Sequence, residues 1–149
     1  VLWTANKNIN PSLDELTKEE IKHIAVPNPK IAPYGEVAME VLKYYNIYDK
    51  VENKLVYGES VSQTNQFILS GAAELGFTSK STVLSDEIKG KGNWIELARA
   101  SYSPIALGAV ILNSTNELKT TAQAFLDFLS SSEGQAILEE FGYLISLDE

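Results

Sequence analysis

Cysteine is absent from this chain, histidine occurs once, and basic residues are scarce: 12 Lys and Arg stand against 20 Asp and Glu. Without cysteine there is no disulfide frame, no thiol nucleophile and no Cys-based zinc or iron–sulfur site. A single histidine, His23, cannot build a multi-His metal centre. The formal net charge of −8 argues against general nucleic-acid binding, which needs clustered Lys and Arg on phosphates. No apolar run is long enough to span a membrane. The opening Val1-Leu2-Trp3-Thr4-Ala5 lacks the basic region and long apolar stretch of a signal peptide. No GxSxG elbow, Walker A loop or dinucleotide-binding glycine pattern is present.

What is there is the composition of a folded domain, 44% hydrophobic and 21% charged over 149 residues. That length suits one domain with a real core. Strand and helix signals alternate, which predicts an α/β layer fold. Strands are expected at 1–5, 23–26, 54–57, 75–78 and 94–99, and a buried strand at 104–112. Ser12-Leu13-Asp14-Glu15 has the capping-box pattern and predicts a short helix to about residue 20. Val37, Ala38, Val41, Leu42 and Tyr45 form one apolar stripe and predict a helix from Gly35. Further helices are expected at 62–70, stopped by Gly71, then at 82–88, 121–131 and 132–141.

One feature repeats. A strand ends, a tight polar turn follows, and a helix starts at once. It occurs at Pro33-Tyr34-Gly35, at Glu59-Ser60-Val61-Ser62 and, less clearly, at Thr78-Ser79-Lys80-Ser81. In a parallel α/β sheet such corners gather at the carboxyl edge, where ligands bind. Each helix start presents unpaired N–H groups and the positive end of a dipole, which suits an anion. Gly35 lets backbone approach closely, and Ser60, Ser62, Ser79 and Ser81 add hydroxyl donors. One such corner alone is more often a helix cap than a binding site; a set of them favours binding. His23 has no local carboxylate or hydroxyl partner and reads as a structural or exposed residue. Glu19-Glu20 and Glu139-Glu140 read as solvated helix faces.

Read in order, the corners resemble the periplasmic molybdate-binding proteins of bacterial ABC transporters. Asn28-Pro29-Lys30-Ile31-Ala32-Pro33-Tyr34-Gly35 is similar to that family's "NP..APYG" segment, and Gly58-Glu59-Ser60-Val61-Ser62-Gln63 to its "GE.V.Q". Ala73-Glu74-Leu75-Gly76-Phe77 resembles "ADAGF". Phe125 to Leu129, Ser132-Glu133-Gly134-Gln135 and Phe141-Gly142-Tyr143 resemble the family's C-terminal "FL.FL.SPE…I…YGF". The match runs in order over nearly the whole chain.

The resemblance implies two α/β lobes that close on an anion about a hinge. This chain would be one lobe of that type II periplasmic-binding-protein fold, a mixed, mostly parallel sheet flanked by helices, with the N-terminal lobe largely missing. Residues 1–103 would be the second lobe, with 1–5 as a hinge strand. Residues 104–149 would be the returning hinge strand and C-terminal helices that pack on the first lobe. In its absence Phe125, Phe128, Ile137 and Phe141 would be exposed, or buried in a dimer or swapped assembly.

By position, the resemblance implies that Tyr34 and Val61 bind an oxoanion oxygen through backbone N–H groups. Ser79 falls where some members place a Tyr hydroxyl, a departure that shortens the reach. Pro33, Gly35, Ser60 and Ser62 support these corners. The implied ligand is molybdate or tungstate, bound as an oxoanion with no cofactor and no directly ligated metal. Such dianions carry no proton at neutral pH, so neutral N–H and O–H donors suit them without Lys or Arg. The implied role is a non-enzymatic solute-binding component that delivers its ion to an ABC permease. Its implied place is periplasmic or extracytoplasmic, with a lipid anchor in a Gram-positive cell. The alternative is an effector-sensing domain of a transcription regulator on the same fold. A transferase or deaminase on this scaffold is disfavoured by the lack of cysteine and of any His–carboxylate cluster.

Overall fold

The computed structural model describes residues 1–113 and 115–145. The chain divides into two compact units, Val1–Ile105 and Ala106–Glu149.

The first unit is built on a five-stranded sheet: β1 (Leu2–Thr4), β2 (Ile24–Pro27), β3 (Leu55–Gly58), β4 (Leu75–Phe77) and β5 (Asn93–Ile95). The order is β3-β2-β4-β1-β5. β2 runs parallel to β3 and β4, while β1 is antiparallel to both β4 and β5. Four strands therefore share one direction and β1 alone opposes them. The side-chain alternation of strands supplies two cores. Leu2, Ile24, Val26, Leu75 and Phe77 point to one face, where they meet Ala38, Val41 and Leu42 of α1 (Pro33–Tyr44) and Val51 of α2 (Tyr48–Val51). Trp3 and Ala25 point to the other, against Ile68 of α3 (Val61–Leu69) and Val83 of α4 (Lys80–Leu84). β2 is buried throughout because both of its faces are covered. The buried Trp3 indole is satisfied by the Lys91 carbonyl at 2.9 Å.

Several boundaries differ from the sequence expectation. The capping box at Ser12 forms only half. Ser12 Oγ accepts from the Glu15 N–H at 3.1 Å, but the Glu15 carboxylate pairs with Lys18 instead, at 2.6 Å. The expected helix is a single 3-10 turn, Glu15–Thr17. Its next carbonyls are taken, because Lys54 Nζ donates to Leu16 O and Lys18 O at 3.1 and 2.7 Å. The helix expected at 82–88 starts earlier and is shorter, since Ser79 caps it and Ser85 turns extended. β5 stops at Ile95, the residue opposite Leu2, where β1 runs out of partners.

The second unit holds α5 (Asn116–Ser130) and α6 (Ser132–Glu140). Thr115 and Ser131 cap them through side-chain oxygens. α5 begins at Asn116, five residues before the expected start at 121, because the Thr115 cap sets the start. Residues 104–112, expected as a buried strand, form no strand and are largely exposed: Val110 is 83% accessible. β propensity alone does not make a strand, and no other described segment pairs with this one. Among the described residues no helix is long and apolar enough to cross a membrane.

Candidate functional site

Three helices begin within six residues of the carboxyl ends of three adjacent parallel strands. α1 follows β2, α3 follows β3 and α4 follows β4. Those strands are adjacent in the sheet. With neighbouring strands ~4.8 Å apart, the three helix starts share an edge about 10 Å wide. Tyr34, Val61 and Ser79 are thereby brought to one edge of one sheet.

The first corner is the tightest. Asn28 turns the chain: its carbonyl accepts from Ile31 and Ala32, and its side chain accepts from the Lys30 N–H at 3.0 Å. Pro33 occupies the first helical position, where a missing N–H costs nothing. The first helical N–H therefore belongs to Tyr34, ahead of the Gly35-to-Ala32 bond at 2.8 Å. A Cβ at Gly35 would collide with the backbone of Pro27 and Pro29, so only glycine seats this turn on the strand end.

The second corner is locked to the first by Asn28 N–H donating to Gly58 O at 2.8 Å. Ser60 is the N-cap, its Oγ accepting from the Gln63 N–H at 3.1 Å, while Gln63 Oε1 accepts from the Glu59 N–H. The first intrahelical bond is Thr64 N–H to Ser60 O, 3.0 Å. The N–H groups of Val61 and Ser62 lie ahead of it and have no carbonyl of their own helix to reach. Ser62 itself is exposed.

At the third corner Ser79 caps α4, accepting from the Thr82 N–H at 3.1 Å. The residue is buried, 7% accessible, and its hydroxyl also meets Ser81 Oγ at 3.0 Å and Thr82 Oγ1 at 2.8 Å. Thr78, Asn65 and Thr82 extend this into a polar cluster joining α3 to the corner. Sequence reading named Gln63 only as the last residue of the "GE.V.Q" resemblance and gave Asn65 and Thr82 no role at the site. The Ser60-x-x-Gln63 and Ser79-x-x-Thr82 spacings carried the signal for two of them.

Charged groups stand at the third corner, where the Val1 amino group donates to Thr78 O at 3.0 Å. Lys80 is engaged by the Glu96 carboxylate, and Glu59 is exposed. A shallow groove of about 440 Å³ runs from Pro29 along α1 to the Tyr48 and Tyr57 rings, with Glu36, Glu40 and Lys43 on its wall. Two carboxylates against one ammonium make it a poor anion site. Burial, then Tyr48 and Glu52, pushes the Tyr57 phenol above its ordinary range and keeps it neutral. His23 is exposed; its N–H, like that of Lys22, is held by Glu74 Oε2. Among the described residues no cluster of three or more His, Asp or Glu could hold a metal ion.

A sheet whose carboxyl edge gathers helix starts and neutral donors is the architecture of a solute-binding lobe. The chain matches the bacterial extracellular solute-binding protein family over residues 1–144, and it belongs to that family. Among its relatives are the molybdate-binding proteins ModA of Rhodobacter capsulatus, 36% identical over 97% of this chain, and of Azotobacter vinelandii, 35% identical over 96%. The chain spans a little over half the length of each, 56% and 57%. The solved periplasmic molybdate-binding protein of Azotobacter vinelandii superposes with a TM-score of 0.83 and 31% identity, over 97% of this chain and 64% of that one. These relatives are binding proteins rather than enzymes.

Proposed function

We propose that this chain supplies one lobe of a solute-binding protein that captures molybdate, or its congener tungstate, for an ABC permease. The observation that carries the reading is the set of three helix starts on one sheet edge, with Tyr34, Val61 and Ser79 at their heads. The Tyr34 and Val61 N–H groups and the Ser79 hydroxyl are the donors we assign to the anion's oxygens. Pro33 and Gly35 fix the first corner; Ser60 caps the second, and the Ser62 N–H stands beside that of Val61.

The chemistry supports this choice of ion. Molybdate and tungstate are tetrahedral dianions without a proton, so a site made only of donors satisfies them. Hydrogen phosphate brings a proton that needs an acceptor, and Glu59 is turned to solvent. The resemblance to the two ModA proteins, whose names state molybdate binding, agrees with the reading.

In this reading residues 1–103 form the second lobe. Residues 104–149 form the segment that returns toward a first lobe, which would cover the exposed Phe125, Phe128 and Ile137. The two-lobed protein works outside the cytoplasmic membrane. Calorimetric titration of the full-length gene product with molybdate, tungstate and sulfate tests the assignment. Tight binding of the first two with at least about tenfold weaker sulfate binding is expected. Absence of heat with molybdate, together with binding of a sugar or amino acid, would overturn it.

A further inference from the structure

The hydroxyl cluster behind the third corner has a direction, and Asn65 sets it. Thr78 Oγ1 donates to Asn65 Oδ1 at 2.6 Å, which leaves the Asn65 amide NH2 facing Thr82 Oγ1 at 3.4 Å, the longest link in the chain. Thr82 Oγ1 has two partners, that amide and Ser79 Oγ at 2.8 Å. An amide NH2 cannot accept, so the Thr82 proton goes to Ser79. Ser79 Oγ also accepts from the Thr82 N–H at 3.1 Å. Both Ser79 lone pairs are then filled. Its own proton is directed away from Thr82, toward Ser81 Oγ or toward a ligand at the sheet edge.

We infer that Asn65 is a positioning residue for oxoanion selectivity: through Thr82 it makes the Ser79 corner a hydrogen-bond donor rather than an acceptor. The inference rests on the anion-binding reading above. A corner locked as a donor suits a tetrahedral dianion that carries no proton and disfavours one that must donate. Asn65 is half-buried on α3, one turn beyond Val61, so it couples the second and third corners without lying at either helix start.

Asn65→Asp reverses the chain with almost no change in shape. One carboxylate oxygen keeps the Thr78 bond. The other now accepts from the Thr82 hydroxyl, Thr82 Oγ1 accepts from Ser79, and the Ser79 proton turns inward. The corner then presents a lone pair. The test is calorimetric titration of the full-length protein with molybdate and with hydrogen phosphate at mildly alkaline pH. Both are then dianions, so the added charge in the variant acts equally on each and their affinity ratio reports donor direction alone. For Asn65→Asp the molybdate-to-phosphate ratio should fall at least about tenfold. Thr82→Val, which breaks the relay without adding charge, should lower the ratio too, and Thr82→Ser should restore it. A ratio unchanged in both Asn65→Asp and Thr82→Val, in proteins that still bind molybdate, would overturn the inference and leave the proposed function standing. A wild-type protein that binds no oxoanion would overturn both.

Discussion

The two units of this chain are built from similar local signals and reach opposite ends of the burial scale. α1 and α5 are both amphipathic helices of ordinary length. Yet α1 sinks Ala38, Val41 and Leu42 to 1% accessibility or less, while α5 has no buried residue and leaves Phe125 60% accessible. The apolar stripe of α1 lies on a sheet face that the same unit supplies. Among the described residues of the second unit, the one other helix or strand offered to the stripe of α5 is α6. Amphipathicity therefore reports what a helix needs, not whether its own chain provides it.

That contrast can be broken by substitution, with urea denaturation as the common measurement. Leu42→Ala removes a fully buried side chain of the first core and should cost about 2–5 kcal/mol. Gly35→Ala pushes a methyl group against the Pro27 and Pro29 backbone, which cannot give way as a side chain would. A loss of about 1–3 kcal/mol is expected, with the first corner displaced. Ser60→Ala removes the cap of α3 and should cost about 1 kcal/mol. Phe125→Ala, though it deletes an aromatic ring, should change the stability of the 149-residue chain by less than about 0.5 kcal/mol. A Phe125→Ala cost as large as that of Leu42→Ala would erase the contrast. Hydrogen exchange should sharpen it, with β2 and β4 amides protected far longer than those of α5.

The sheet and its corners were legible because period-2 and period-3.6 patterns coincide there with turn chemistry. β2, α1, β3, α3 and β4 fall within one to three residues of expectation, and Gly71 stops α3 with a positive φ of 74° as foreseen. Tyr34, Val61 and Ser79 arrive at one edge because the parallel topology puts them there. What sequence did not show has two causes. Residues 104–112 carry strand propensity, but pairing is a long-range property and no described strand meets them. The turn at Glu15–Thr17 was expected as a helix because nothing local reveals that Lys54, distant in sequence, caps its carbonyls. The Asn65 relay was hidden for the same reason: its partners lie 13 and 17 residues away.

The central claim is that backbone N–H groups, not charged side chains, hold the anion. Val61→Pro tests it most directly. Val61 is the first residue of α3, where proline fits, and Ser60 before it is already extended at φ −150° and ψ 165°. The substitution therefore removes one N–H and leaves the helix. In the full-length protein we predict molybdate affinity lowered by about ten- to a hundredfold, with the melting temperature unchanged. Unchanged affinity in a folded Val61→Pro protein would contradict the account.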